Sequence, residues 1–246
     1  MTRYRCGMQV KELWRYPVKS LQGERVDSAH LGPEGIAGDR RFAIFDAETG
    51  FGLTGRRHGE LLFASARWLG DSVEITLPDG TTARDDAALS AWLGRAVTLR
   101  STDEDVERSF ETVDDFEHED TSTWHPFVGA GSSFRDSEAT VVSLVSTGSL
   151  GEWDRRRFRS NIVLEGSGEE SLVGSRVSLG GAVLDVTKRV GRCVMVTRPQ
   201  PGDLEKDLNV LRSIHRERDG KIAVGASVVI AGTVNIGDEL MGPPSS

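Results

Sequence analysis

Short β-branched and aromatic runs separated by glycine recur along this chain, which holds 28 glycines among 246 residues. Runs of this length, bounded by Gly, Pro or Asp, are typical of β-strands that end in turns. Many short strands favour closed or nearly closed barrels over a doubly wound parallel sheet, so the predicted fold class is mainly β with short helices. The predicted strands are 10–14, 41–45, 61–68, 72–77, 139–145, 161–165, 176–179, 182–188, 226–230 and 232–240.

Helical features occur at three places in the chain. Residues 85–93 are predicted to form a helix because Asp85 or Asp86 can cap its start and Gly94 follows its end. A hairpin turn is predicted at Asp79-Gly80. Two further helices are predicted, over 149–156 and over 202–214, the second with an apolar stripe of Leu204, Leu208 and Leu211.

The charge of the chain is distributed unevenly and suggests its domain organisation. Residues 101–120 hold ten acidic side chains and one basic one, so they contribute −9 to a net charge of −8 and the rest sums to about +1. We interpret this run as a solvated loop or insertion, or alternatively as a docking surface for a basic partner. The predicted organisation is a β-barrel domain over 1–100, an acidic insertion over 101–125 and a second β-barrel over 126–246.

Composition excludes several classes of protein. No apolar run approaches the ~20 residues that cross a membrane, and no secretory signal follows Met1, so we expect a cytoplasmic protein without membrane contact. In a reducing compartment Cys6 and Cys193, the two cysteines, would stay thiols. No Lys/Arg stripe is interleaved with aromatic residues, so a nucleic-acid partner is not expected.

The standard catalytic signatures are missing from the sequence. It contains no GxGxxG, P-loop, HExxH, CxxC or GxSxG motif, and its five histidines show no metal-ligand spacing. Nucleotide-dependent hydride transfer and zinc-finger roles are therefore not expected.

Cys193 lies beside a concentration of positive charge. Lys188, Arg189 and Arg192 precede it, and residues 155–159 contribute four more arginines. Neighbouring cations favour the thiolate, which attacks electrophiles or binds soft metals. If both groups line one cavity, they form a site for a phosphate-bearing ligand with a thiolate in reach. The alternatives are exposed strand ends with arginines in solvent, and a cysteine that is a small core hydrophobe.

Several stretches in the order found here resemble the MOSC domain, the C-terminal domain type of molybdenum cofactor sulfurases, and the β-barrel domain that precedes it. The stretches are 16–20, 38–42 and 53–56 in the first half, and 157–164, 192–197 and 232–238 in the second.

This resemblance implies a pyranopterin molybdenum cofactor held between the two barrels. Cys193 would be the metal ligand and the catalytic residue, and Arg192 beside it would favour the thiolate. Ser137 is a weaker candidate for the same pocket. The residues that would hold the pterin and its phosphate, or shape the loop around them, are Lys19, Ser20, Arg40, Arg159, Asn161, Gly191 and Arg192.

In layout the chain resembles the amidoxime-reducing enzymes. The resemblance implies reduction of N-hydroxylated compounds by oxygen transfer to molybdenum. Because the sequence has no ferredoxin-like extension before Ser246, electrons would come from a separate ferredoxin- or flavoprotein-type reductase. Asp136 and Asp238 are ionisable, but turn or cap roles are expected for both. The alternative functions are a cofactor or sulfur carrier that uses Cys193 without turnover, and a scaffold that has lost its ligand.

Overall fold

The computed structural model describes residues 4–104, 107–129, 133–137 and 140–242, and it confirms a mainly β fold with short helices. The strands are β1 (Tyr4–Arg15), β2 (Glu24–Val26), β3 (Ser28–Gly32), β4 (Gly35–Ile36), β5 (Phe42–Asp46), β6 (Ser65–Trp68), β7 (Val73–Thr76), β8 (Thr82–Ala83), β9 (Val97–Ser101), β10 (Ser109–Thr112), β11 (His125–Val128), β12 (Val142–Ser146), β13 (Ile162–Glu165), β14 (Arg176–Leu179), β15 (Ala182–Gly191), β16 (Lys221–Ile230), β17 (Gly232–Asn235) and β18 (Glu239–Gly242). The α-helices are α1 (Asp86–Leu93), α2 (Thr147–Leu150) and α3 (Leu208–Arg218), and the 3-10 helices are Gly59–Phe63, Arg155–Arg157, Glu169–Leu172 and Val194–Thr197.

Seven strands close into a barrel, in the order β13-β12-β16-β15-β14-β18-β1, and β1 returns to pair with β13. All neighbours are antiparallel except β12 and β13. The interior is filled by aliphatic side chains such as Leu13, Leu144, Ile162 and Val224, each at most 1% exposed. Burying each of these side chains contributes about 1.5–3 kcal/mol. The first strand of the chain thus completes a barrel whose other strands lie in residues 142–242.

The first half of the chain has a second core. Two small sheets, β5-β9 and β6-β7-β8, surround it together with α1. The buried side chains of the third small sheet, β17-β3-β4, belong to the barrel core instead. Its most buried side chains include Ile44, Leu61, Ile75 and Leu89. The domain boundaries at residues 100 and 125 stay predictions.

Helix α1 confirms the signals in the sequence. The Asp85 carboxylate accepts from the backbone N–H of Ala88 at 2.8 Å, and Gly94 ends the helix in the left-handed conformation. The turn at Asp79-Gly80 also forms, with Gly80 at φ +85° between β7 and β8.

The third helix was predicted with the wrong start. It begins at Leu208 rather than 202, because Asp207 caps it by accepting from Asn209 N–H at 2.9 Å. Leu204 lies before the helix, in a bridge with Gln200. The helix ends at Arg218 rather than 214, and its buried face is formed by Val210, Leu211 and Ile214, so Leu211 alone of the predicted stripe lies on that face.

Other boundaries also differ from the prediction. The helix predicted over 149–156 is the single turn α2, ended by Gly151, followed by a 3-10 turn over Arg155–Arg157. The strand predicted over 61–68 is divided into the 3-10 helix Gly59–Phe63 and β6. Residues 232–240 form two strands, β17 and β18, separated by a turn with Gly237 at φ +89°. Residue 139, at the start of the strand predicted over 139–145, lies outside the described residues.

The acidic segment is more ordered than a solvated loop. It contains β10, whose Phe110 is fully buried against Phe45 and Phe127. Glu119 pairs with Arg198 at 2.5 Å, and both side chains are nearly buried. The interpretation of this run as a wholly solvated insertion is therefore wrong, because a buried aromatic residue and ion pairs to the chain itself anchor it.

Both cysteines are free thiols, as predicted. Within the described residues, no helix combines the length and the apolar character needed to cross a membrane.

Candidate functional site

A cavity of about 430 Å³ lies where loops of the first half meet the barrel. Nine cationic side chains and a single carboxylate, Asp136, are among its described lining residues. The cavity is therefore strongly electropositive although the whole chain is acidic. The nine cations are Lys19, Arg40, Arg56, Arg135, Arg157, Arg159, Lys188, Arg189 and Arg192.

All the site residues predicted from the sequence line this one cavity. The roles of these residues toward a cofactor stay predictions. The alternative, in which they lie at separate, exposed strand ends, does not hold, because they line the same cavity. They are Lys19, Ser20, Arg40, Ser137, Arg159, Asn161, Gly191, Arg192 and Cys193.

Cys193 stands at the end of the long strand β15 and precedes the 3-10 helix Val194–Thr197. Its side chain is half-buried. The Nε–H of Arg56 donates to the Cys193 sulfur at 3.3 Å. The sulfur thus has a guanidinium as its hydrogen-bond partner inside the cavity.

Arg56 was not among the predicted site residues, although it lies in the recurring stretch 53–56. Burial alone would lower the pKa of Arg56, but the charges of Cys193 and Asp136 outweigh burial and raise it. The guanidinium therefore keeps its charge and stays available to the sulfur.

Arg56 rather than Arg192 donates a hydrogen bond to the Cys193 sulfur, although Arg192 and Cys193 still interact electrostatically. Arg192 donates instead to the carbonyl oxygens of Ile222, at 2.9 and 3.0 Å, and of Phe158, at 2.8 Å. Burial lowers the pKa of Arg192 to about 10. Its donors brace the loop that carries Cys193, which agrees with a loop-shaping role.

Asp136 joins two cations of the cavity. Its two carboxylate oxygens accept from Lys19 Nζ and from the Arg56 guanidinium. Burial alone would raise the pKa of Asp136, but Lys19 and Arg56 outweigh it and hold the pKa well below its usual range. Burial lowers the pKa of Lys19, and Asp136 partly offsets this effect. Asp136 is thus a charge partner rather than the turn residue that we expected.

This pairing predicts a pH dependence of stability. Because the folded-state pKa of Asp136 is depressed, its stabilising contribution is present above the unfolded-state value of about 3.9 and is lost as pH falls below it. The unfolding free energies of the wild type and Asp136→Asn should therefore differ at pH 6, and the difference should shrink toward pH 3. Denaturant titrations across this range would measure it. A difference that stays constant with pH would contradict the pairing.

The buried end of the cavity is built on strained backbone. Ser20, Arg40 and Arg159 have φ values of 69°, 53° and 52°, the left-handed region that side chains rarely adopt. Arg159 donates to the Leu21 carbonyl at 2.6 Å, and burial lowers its pKa to about 10. Arg40 and Arg159 both lie over the Tyr16 ring, at 5.0 and 4.4 Å. Such strain persists only where surrounding contacts enforce it, and it is concentrated at functional sites.

Asn161 and Asp39 join the two halves behind this end. The Asn161 amide donates to Asp39 Oδ1 at 3.0 Å and to the Trp14 carbonyl at 3.3 Å. Its oxygen accepts from the backbone N–H and the hydroxyl of Ser143. Asp39, 2% exposed, also accepts from Tyr16 N–H and pairs with Arg40. The sequence did not single out Asp39 as a site residue, although it lies in the recurring stretch 38–42.

No group of three or more His, Cys, Asp or Glu side chains that could hold a metal ion occurs among the described residues. Cys193 offers one soft donor.

Comparison with known proteins agrees with this architecture. Residues 7–119 match the MOSC N-terminal beta barrel domain, and residues 134–241 match the MOSC domain. The first match includes most of the acidic run over residues 101–120.

Solved structures to which the chain is similar include the YuaD protein from Bacillus subtilis, with 13% identity, coverage of 100% of this chain and 99% of that one, and a TM-score of 0.46. The match to YiiM from Geobacillus stearothermophilus covers 56% of this chain and 73% of the YiiM chain, with 13% identity and a TM-score of 0.36. No functionally curated protein matches the sequence significantly. The two domain matches together span nearly the whole chain, which therefore belongs to the MOSC family, with a MOSC N-terminal β-barrel domain followed by a MOSC domain.

Proposed function

We propose that this chain binds a pyranopterin molybdenum cofactor in the cavity and reduces N-hydroxylated compounds with electrons from a separate reductase. The MOSC family is associated with molybdenum cofactor binding. The observation that supports the proposal is one half-buried cysteine sulfur, in contact with Arg56, inside a cavity lined by nine cations.

The residues present fit such a cofactor. Its phosphate needs cationic partners, and the described lining residues of the cavity include nine cations and one carboxylate. Its metal arrives with dithiolene sulfurs, so a single thiolate from the protein is a suitable additional ligand. A cavity of about 430 Å³ has the dimensions of a small-molecule site.

Each group of residues would have a distinct task. Lys19, Arg40 and Arg159 would hold the phosphate and pterin at the buried end. Cys193 would bind the metal, with the hydrogen bond from Arg56 orienting the sulfur. When bound, the cofactor supplies a redox-active metal that accepts the oxygen of an N–O group.

Reduction of an N–O bond consumes protons, and Asp136 is not a suitable donor of them. Its depressed pKa keeps it ionised at neutral pH, since Lys19 and Arg56 stabilise the carboxylate. Its task is to orient these two cations.

The proposal predicts both metal content and turnover. Protein purified from a host that makes the cofactor should contain about one molybdenum per chain and should oxidise a reduced dye when an amidoxime is added. Protein from a host that lacks the cofactor is the control and should do neither.

Two results would contradict the reductase function. Bound pterin or sulfane sulfur without turnover would favour the cofactor or sulfur carrier. If protein made in a host that supplies the cofactor contained neither molybdenum nor pterin, the proposal that the chain binds this cofactor would be contradicted.

A further inference from the structure

The cations of the cavity differ in how far their donors are already used. Eight of the nine donate to a carboxylate, to the Cys193 sulfur or to backbone carbonyl oxygens. Lys188 differs from them. Within the described parts of the chain, its ammonium donates only to the Ser137 hydroxyl, at 2.8 Å. An ammonium has three protons, so two of them have no protein acceptor there.

Lys188 is also more exposed than the residues at the buried end of the cavity. Lys19, Ser20, Arg159 and Asn161 at the other end are all at least 93% buried. Lys188 is half-buried on β15, and the same strand ends at Gly191, which is exposed. Lys188 therefore lies toward the mouth, where a bound molecule presents its outer end.

Ser137 complements the charge of Lys188. Its oxygen accepts from the ammonium, which leaves the hydroxyl proton free to donate to a further acceptor. A cation and a hydroxyl donor side by side match the oxygen atoms of a carboxylate or phosphate. The lysine ammonium is a compact charge on a flexible stem, so it can move toward such a group.

We propose that Lys188 and Ser137 form an oxyanion subsite at the mouth of the cavity, which binds a carboxylate or phosphate group of the molecule held there. The subsite rests on the proposed function only for the source of the oxyanion, an acidic group of the substrate, because the cofactor phosphate is assigned to the cations of the buried end.

The test uses inorganic phosphate and the full chain purified without cofactor. Calorimetric titration should show that Lys188→Met weakens phosphate binding about tenfold, because a charge-assisted hydrogen bond is lost. Ser137→Ala should weaken it less. Methionine keeps most of the aliphatic stem, so the thermal midpoint should not change.

The matched control is Lys11→Met. Lys11 is an exposed lysine of β1, outside the cavity lining, and its replacement makes the same change in net charge. Phosphate affinity should be unchanged in this variant. If both replacements weaken phosphate binding equally, the effect comes from the overall charge of the protein and not from a subsite. If Lys188→Met does not weaken phosphate binding, the proposed subsite is wrong.

Loaded protein then separates the two sources of the oxyanion. Lower retention of pterin and molybdenum in Lys188→Met would assign the subsite to the cofactor phosphate, and it would overturn both the substrate role of Lys188 and the placement of that phosphate at the buried end. Unchanged retention, with a higher KM for a carboxylated amidoxime and an unaltered KM for a neutral one, assigns it to the substrate. If no amidoxime is reduced, the proposed function fails, while the phosphate titration still decides the subsite.

Discussion

Asp39→Ala should lower the free energy of unfolding by about 3–5 kcal/mol, which is the cost of breaking a buried ion pair from one side. Three donors would lose their acceptor at once: the Tyr16 backbone N–H, the Asn161 amide and the Arg40 guanidinium. Asp39 itself is 2% exposed, so water cannot easily replace the lost oxygens.

A denaturant titration measures this effect, and Asp39→Asn is the matched comparison. Asparagine keeps the shape and one acceptor but loses the charge, so its destabilisation should be intermediate. Arg40 and Asn161 also lose their orientation in the alanine variant, so phosphate binding by the cavity should weaken as well. A loss of stability below about 1 kcal/mol is typical of an exposed ion pair. Such a result would contradict the description of the Asp39 contacts as a buried hydrogen-bonded ion pair.

Cys193→Ser should lower molybdenum retention and amidoxime reduction by on the order of a hundredfold or more. Replacing residues that only support a metal ligand already costs about 10–100-fold, and a hydroxyl is a poor substitute for a soft thiolate. The fold should be unaffected, because the sulfur is half-buried and its hydrogen-bond partner is a side chain, Arg56.

The control for this variant is Cys6→Ser, which changes the other cysteine in the same way. Cys6 lies beside Gly242 and packs against the barrel core, outside the cavity lining. The Cys6→Ser variant should retain both molybdenum and activity. Equal molybdenum in wild type and Cys193→Ser would take the cysteine out of the metal's coordination sphere.

Features encoded locally could be predicted from the sequence. Asp85 and Gly94 bound helix α1 as their capping preferences indicate, and the spacing of apolar residues located most strands. The helix start at Leu208 was missed because Leu204 continues the same apolar spacing, while Asp207 sets the boundary through its cap. Phe110 was missed because ten acidic neighbours dominate the composition of its segment.

The candidate site was predictable in part, for a similar reason. Cys193 and its basic neighbours are close together in the sequence, so their chemistry could be inferred. Arg56 reaches the sulfur across 137 residues, and Asp39 reaches Asn161 across 122. Contacts of this kind depend on how the two halves pack, which neither periodicity nor motif spacing reveals. The left-handed backbone of Ser20, Arg40 and Arg159 is equally a product of packing, since none of these residue types favours it.

X-ray absorption at the molybdenum edge of the loaded protein tests the central claim most directly, because it counts the sulfur atoms bound to the metal. The account predicts one sulfur beyond the dithiolene pair of the cofactor, supplied by Cys193 in contact with Arg56. A spectrum fully described by the dithiolene sulfurs alone, with oxygen in the remaining positions, would contradict it.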